Sequence, residues 1–443
     1  MDRSVLERDW ASGEPAGSDR RSSGLPSGWE HDALNGWPRV AFFSDSFHGV
    51  DGVATTCRNV VEAAQTRKLP FLAIHAGEKT RRLKDGPVDI LELHRGPVAL
   101  NLDRHLKFDL LFAVHFRRVL NAVRAFRPDV VHITGPGDVG ITGARVAYAL
   151  GVPLIASWHT NIHEFAGRRL AKMAAPLPEA PRRILAGVTE KCVLKACLLY
   201  YQVADVILAP NPEHVELLQN GTNKPVFPMR RGINTQLFSP RKRDVDDRIF
   251  RLGFVGRLCP EKNVRFLADL ERGLCQRGIH NYRFSIVGEG DERPWLERNL
   301  QRADFTGELH GELLARAYAN MDLFVFPSET DTYGNVISEA MASGTPAVVT
   351  SKGGPKYQVQ DGITGFVGAD TQDFLAKTTW LMTNPDQHRR FRDACRAWAG
   401  GRTWNNVLDD LLAAYQAGFS TPFMNRVPAR LQAEAWGATL RMG

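Results

Sequence analysis

No run of about 18 apolar residues occurs anywhere in this 443-residue sequence, so no membrane-spanning helix is expected. The N-terminus has no apolar core either. Met1, Asp2 and Arg3 are soon followed by Glu7, Arg8 and Asp9, so no secretory signal is expected in this stretch. Cysteine is scarce. Cys57, Cys192, Cys197, Cys259, Cys275 and Cys395 form no C-x-x-C pair and no zinc-like grouping with histidine, so reduced thiols in a cytosolic compartment are expected. Charge of one sign does not dominate: 56 Lys and Arg against 49 Asp and Glu leave a net charge of +7. That excess suits an anionic partner, whether nucleotide diphosphate, anionic lipid or nucleic acid, and does not choose among them. No recognised nucleic-acid module or repeated aromatic-basic pattern is present, so nucleic acid is not the expected partner. A dehydrogenase is disfavoured as well, because Arg293 stands in VGEGDER where the third glycine of a dinucleotide fingerprint belongs.

What is present is the composition of a water-soluble globular chain, 43% hydrophobic and 24% charged, at a length that calls for two domains. Residues 1–37, rich in Ser, Gly, Pro and charge, read as a disordered tail. From Arg39 onward, short β-rich runs alternate with helical stretches: RVAFFSDS, FLAIHAG, VDILEL, DVVHITGP, PLIASWHT and VILAPN. This pattern predicts a parallel α/β domain over 38–237. A polar stretch near Asn234 to Asp247 leads into a second series, RLGFVGRL, YRFSIVGEG, ADFTGEL, DLFVFPS and TPAVVTS, which predicts a second α/β domain over 238–403. The remaining segment, 404–443, is expected to be helical and to pack back on the first domain. Open α/β sheets bind ligands beyond the carboxyl ends of their strands. The chemically rich residues fall there in both series: Ser44 to Gly52, Gly135 to Asp138, His159, Gly256 to Lys262, and Ser328 to Gly334. The expected fold is therefore α/β, two facing Rossmann-like domains with a cleft between them.

Several of these pieces carry chemistry on their own. Arg257 and Lys262, in GRLCPEKN, lie at a strand end and just beyond it, where two cations can neutralise a diphosphate; a solvated surface pair is the alternative. Thr332, Tyr333, Gly334 and Asn335 precede a predicted helix beginning at Val336, whose free amides suit a phosphate or a sugar hydroxyl. Asp331 and Glu339 are acidic residues eight positions apart, readable also as a loop carboxylate and an exposed helical charge. Gly49 and Gly52 sit in the loop after the first strand, where missing side chains would let backbone approach a ligand. His159 follows a predicted strand within SWHTN; an isolated histidine reads first as a hydrogen-bonded core group, and its position and neighbours reverse that preference.

GRLCPEKN, IVGEG, FTGEL and FPSETDTYGNVISEAMASGTPAVVTSKGGP, in that order, resemble the donor half of glycosyltransferase family 4. SDSFHGVDGVATT, HITGPGDVG, SWHTN and RGINTQLFSP resemble its acceptor half and interdomain stretch. The likeness runs from about Arg39 to Tyr415. It implies the GT-B architecture and retaining transfer of a hexose from a nucleotide diphosphate sugar to a hydroxyl acceptor, with no cofactor and no metal. It also implies roles: His159 and Asp331 at the reacting sugar; Arg257, Lys262 and Gly52 at the diphosphate; Thr332 to Val336 at the sugar and phosphate; Glu339 at the ribose; Gly288 and Leu309 near the base. The sequence departs from the family pattern at Asp331, where glutamate is commoner, and in a slightly shortened glycine loop. TDTYGN leans towards a mannosyltransferase-like relative, with GDP-mannose or UDP-glucose as donor and a lipid or glycan as acceptor. A sugar-nucleotide epimerase of the same architecture and a non-catalytic binder are the alternatives.

Residues 165 to 197 carry seven Lys or Arg against two Glu, interleaved with Phe165, Leu170, Met173, Leu177, Ile184, Leu185, Val188 and Val193. Such a segment fits either an anionic membrane surface or a helix pair packed on its own domain with a solvated basic face. Prolines at 176, 178 and 181 exclude one long helix. The expected location is cytoplasmic, with peripheral contact at the inner membrane face left open.

Overall fold

The computed structural model describes residues 37–419 apart from Val50, Pro97, Val98, 102–106, Leu110, Ala175 and Leu177. The expected tail up to residue 36, residues 420–443 of the C-terminal segment, and Leu177 of the basic segment lie outside the described residues. Trp37, read from sequence as part of the tail, is instead buried edge-on to Tyr415. Among the described residues the chain divides into two compact units, 37–229 with 408–419, and 230–407. The division falls before Arg230 and not at 237/238, because Ile233 and Phe238 are part of the second unit's core.

In the first unit, β1 (Val40–Ser44), β2 (Phe71–Gly77), β3 (Arg81–Asp85) and β4 (Val88–His94) are followed by a short ribbon, β5 (Ala99–Asn101) and β6 (Lys107–Asp109). Then come β7 (Val130–Ile133), β8 (Leu154–Ser157), β9 (Val206–Ala209) and β10 (Val226–Pro228). The main sheet runs β10-β9-β8-β7-β1-β2-β4-β3. Its centre consists of unbroken buried strands such as VAFFS, the signature of a parallel sheet covered on both faces. The purely parallel domain predicted from sequence needs one correction: β3 pairs antiparallel at the edge. RRLKD shows no β-rich pattern; its place is set by cross-strand ion pairs, Arg81 to Glu92 and Arg82 to Asp89, each 2.7 Å. A fully exposed, charged strand is a suitable edge because it discourages further strand addition.

The second unit contains β11 (Phe250–Val255), β12 (Tyr282–Val287), β13 (Ala303–Gly307), β14 (Leu323–Phe326), β15 (Ala347–Thr350) and β16 (Gly365–Gly368). All pair in parallel, in the order β13-β12-β11-β14-β15-β16. In each sheet the chain first steps outward from its starting strand, then returns to that strand's other side. The switch points lie between β1 and β7 and between β11 and β14, and ligands of such sheets bind just beyond the strand ends there.

The chain returns through the helix Trp404–Phe419, whose residues from Leu408 onward belong to the first unit. Its Tyr415 hydroxyl lies 2.9 Å from His132 Nδ1, and His132 Nε2 lies 2.5 Å from Ser157 Oγ. Burial lowers the His132 pKa to about 3, so the imidazole is neutral in this network.

Candidate active site

Beyond β11, three loops ride backbone on backbone. Gly256 N donates to Val287 O (3.0 Å), Leu258 N to Glu289 O (2.9 Å) and Gly288 N to Gly307 O (2.8 Å). A Cβ on Gly288 would sit 2.0 Å from the Gly256 carbonyl oxygen, and the φ of Gly288 is +135°, so only glycine fits. Packing thus accounts for Gly288 without a base contact. Leu309, also assigned to the base region, is half-buried against the core.

The chain then turns through the short 3₁₀ segment Pro260–Lys262. Thr330 Oγ1 donates to Glu261 O (3.1 Å) and Asn263 Nδ2 to Pro327 O (3.3 Å), which fastens this turn to the loop after β14. The switch point therefore brings Lys262 Nζ to 2.6 Å from Asp331 Oδ1, with the two side chains only 18% and 19% exposed. Burial works to raise the Asp331 pKa; the Lys262 charge and hydrogen bond override it, helped by Ser328 and Arg257, and hold the carboxyl below its usual range. Asp331 Oδ2 is shielded from solvent and has no hydrogen-bond partner of normal geometry, although Ser328 lies near enough to influence its titration. An ionised carboxylate with one oxygen uncommitted is suited to a ligand hydroxyl.

The loop Thr332 to Asn335 rests on a fitted support. Gly354 N donates to Asp331 O (2.7 Å), and a Cβ on Gly354 would lie 2.0 Å from Thr332 O. Buried Gln358 donates through Nε2 to Gly334 O (3.0 Å) and to Tyr333 O, and accepts from Ser338 Oγ (2.5 Å). Arg231 donates to Asn335 Oδ1 (3.1 Å), and its guanidinium lies 4.9 Å from the ring centre of buried Tyr333. Sequence reasoning named neither Gln358 nor Arg231. Gln358 stands just past the GGP run, and the arginine opening RGINTQLFSP, next to Arg230, was the available signal for Arg231. Gly334, at φ +87°, precedes the helix Asn335–Ala342, which no side chain caps; half-buried Val336 anchors it to the core. Its N-terminal amides can receive phosphate or sugar oxygens.

The corresponding helix start in the first unit differs. Gly52 is the first residue of the helix Gly52–Thr66 and not a loop residue, and Asp51 caps that helix by accepting from Val53 N and Ala54 N, both at 2.9 Å. A diphosphate there would meet the Asp51 carboxylate. The helix after Gly334, by contrast, carries no side-chain cap. Gly49 has its own reason: a Cβ would lie 2.4 Å from Asp51 Oδ2.

Glu339, on the helix after Gly334, is half-buried and accepts from the Tyr318 hydroxyl at 2.8 Å. Burial raises its pKa to about 7, against the lowering effect of Tyr318. In the ribose role that the family resemblance implies, two hydroxyls would donate to Glu339, which requires the ionised form as acceptor. Donor affinity should therefore fall as pH drops through about 7, by up to roughly tenfold per unit. The sign for folding is opposite: a raised carboxyl contributes stability below about pH 4.5 that is lost as pH rises through 7. The donor-induced rise in melting temperature should be larger at pH 8 than at pH 6. Glu339→Gln should flatten this difference, and its persistence in that variant would remove Glu339 from the explanation.

His159 is buried in the loop after β8. Trp158 Nε1 donates to Asn161 Oδ1 (3.0 Å), His214 Nε2 lies 2.7 Å from the same oxygen, and Asn161 Nδ2 donates to Glu164 Oε1 (2.6 Å). The SWHTN loop is therefore braced by side chains on either side of His159. Sequence reasoning missed His214, whose pKa burial lowers to about 4. The named residues thus fall into two groups, Gly52 and His159 in one unit and the remainder in the other. Among the described residues, no group of three or more His, Cys, Asp or Glu is placed to hold a metal ion.

Two doubly wound units, with cations, a carboxylate and an uncapped helix start gathered at a switch point, define a nucleotide-sugar glycosyltransferase of the GT-B class. Solved structures of the same fold include sucrose-phosphate synthase from Thermosynechococcus elongatus, at TM-score 0.65 and 18% identity, covering 86% of this chain and 99% of that one. The catalytic domain of starch synthase IV from Arabidopsis thaliana matches at TM-score 0.61 and 13% identity, covering 87% and 100%. Residues 50–237 match the model described as Glycosyltransferase Family 4, and 249–384 match Glycosyl transferases group 1. A GDP-mannose-dependent alpha-mannosyltransferase of Mycobacterium tuberculosis is 33% identical over 86% of this chain and 96% of its own length. One of the same description from Mycolicibacterium smegmatis is 32% identical over 86% and 97%. This chain belongs to glycosyltransferase family 4.

Proposed function

We propose that the enzyme transfers mannose from GDP-mannose to a hydroxyl acceptor, carried on a lipid or a glycan, with retention of anomeric configuration. The relatives described as GDP-mannose-dependent, matched along nearly their full length, support this donor. The chemistry rests on one observation: Asp331, its carboxyl held below its usual pKa range, lies 2.6 Å from Lys262 beside an uncapped helix start. In this reading the sugar hydroxyls engage Asp331 and the diphosphate lies against the helix amides, Arg257 and Lys262. As the bond from the sugar's anomeric carbon to the diphosphate oxygen breaks, that oxygen takes the electron pair and the positive groups stabilise it. The acceptor oxygen attacks the same face of the oxocarbenium-like sugar, and its proton passes to the departing diphosphate. His159 touches the donor sugar, and Glu339 holds the ribose.

A thermal-shift panel of GDP-mannose, GDP, UDP-glucose and UDP, followed by anomeric analysis of the product, tests the assignment. Occupancy at 100 times Kd should stabilise the protein by about 2.7 kcal/mol, with GDP-mannose selective over UDP-glucose and an α-linked product. Selectivity for UDP-glucose would overturn the donor, and a β-linked product the stereochemistry.

A further inference from the structure

The helices Ile162–Met173 and Glu179–Tyr201 form a hairpin rooted at the SWHTN loop, since the first begins just after Asn161. They pack closely, and a Cβ on Gly167 would lie 3.1 Å from Ala186 O. At the far end, apolar side chains face outward: Met173 is 72% exposed, Ile184 68%, Val188 53% and Leu185 41%. Ile184, Val188, Lys191, Lys195 and Leu199 follow one another along a single face of the second helix, at the three- and four-residue spacing of helical neighbours. Lys191 and Lys195 thus stand within this face among the apolar side chains, and Arg169 and Arg183 are exposed on the same hairpin. The packed-pair reading accounts for the inner faces of the two helices; it does not account for four large apolar side chains displayed among cations.

We propose that this hairpin docks on an anionic bilayer, its apolar end entering the headgroup and acyl boundary while the flanking cations meet lipid phosphates. Apolar insertion and charge attraction act together, as on other interfacial helices, and neither requires a spanning segment. No helix among the described residues is long and apolar enough to cross a membrane. Because the hairpin's root carries the His159 loop, docking would bring the reacting residue to the plane where a lipid-borne hydroxyl is displayed. This last step rests on the transfer reading above; the docking itself does not.

Cosedimentation of the full chain with phosphatidylcholine vesicles, with and without phosphatidylglycerol, tests it. Binding should require phosphatidylglycerol and weaken as salt rises, since screening shortens to about 10 Å at 0.1 M. The double variant Ile184→Ser with Val188→Ser should lower vesicle partitioning at least about tenfold. Lys191→Gln with Lys195→Gln should remove much of the salt-dependent part. Both variants should keep the parent's thermal response to GDP-mannose, which shows them folded and separates this proposal from the donor assignment. Equal binding to both vesicle types, or undiminished binding by the apolar variant, would overturn docking. A concentration-dependent dimer abolished by the Ile184 and Val188 changes would instead assign the face to self-association.

Discussion

Lys262→Ala is expected to slow mannosyl transfer at least about tenfold, while the parent enzyme keeps its rate when divalent metal is chelated. The lower bound follows from the worth of a charge-assisted hydrogen bond, about 1.5 to 3 kcal/mol. Removing Lys262 also strips Asp331 of the partner that keeps it ionised against burial, so the loss should exceed that of a purely surface cation. The chain's one D-x-D run, Asp244-Val245-Asp246, stands outside the donor motifs, and its Asp244 accepts from Asn320 Nδ2 at 2.7 Å and pairs with Arg316. Arg257→Lys should be costly too, because lysine keeps the charge but not the fork that grips a diphosphate. If Lys262 acts partly through Asp331, then Lys262→Ala combined with Asp331→Asn should cost less than the sum of the single changes. Steady-state transfer with radiolabelled donor, with and without chelator, reads all of these. Activity abolished by chelator and restored by magnesium, together with a near-normal Lys262→Ala enzyme, would overturn the assignment.

How much of this was legible beforehand differs by element. The strands at the switch points were readable because VAFF, LGFV and LFVF are buried on both faces and so appear as unbroken apolar runs. β3 was not read, because RRLKD lacks apolar alternation and is held by ion pairs to its neighbour; the Asp85-Gly86 turn between the two strands was the available signal. At the site, spacing placed Lys262 and Asp331 at strand ends, but their 2.6 Å contact depends on hydrogen bonds linking loops that are distant in sequence. From sequence Gly52 read as a loop glycine and Gly334 as the residue before a helix, yet both mark helix starts. Only the structure distinguishes them, since Asp51 already occupies one while Gly334 opens the other without a side-chain cap. Gln358 and Arg231 were passed over for a related reason: each supports the donor loop from a segment outside the loop itself.

His159→Ala should lower kcat by on the order of 100-fold, the usual cost of removing a group that interacts with charge developing in the transition state. Burial alone makes the opposite outcome conceivable, since His159 is 5% exposed and a buried histidine is often a core group. The arrangement around it decides the expectation. The loop is braced by Trp158 and His214 converging on Asn161 Oδ1, and by Trp158 N donating to Leu208 O at 2.8 Å, none of which passes through the His159 side chain. Truncating His159 should therefore leave the melting temperature within a few degrees of the parent, a change of about 1 kcal/mol or less. Asn161→Ala serves as the contrast: it leaves a buried indole N–H without its acceptor and should cost roughly 1 to 3 kcal/mol of stability. Calorimetry and turnover measured on the same preparations separate the two roles. A large stability loss in His159→Ala, with normal turnover in the fraction that remains folded, would make His159 a core residue and leave transfer to the Asp331 and Lys262 pair.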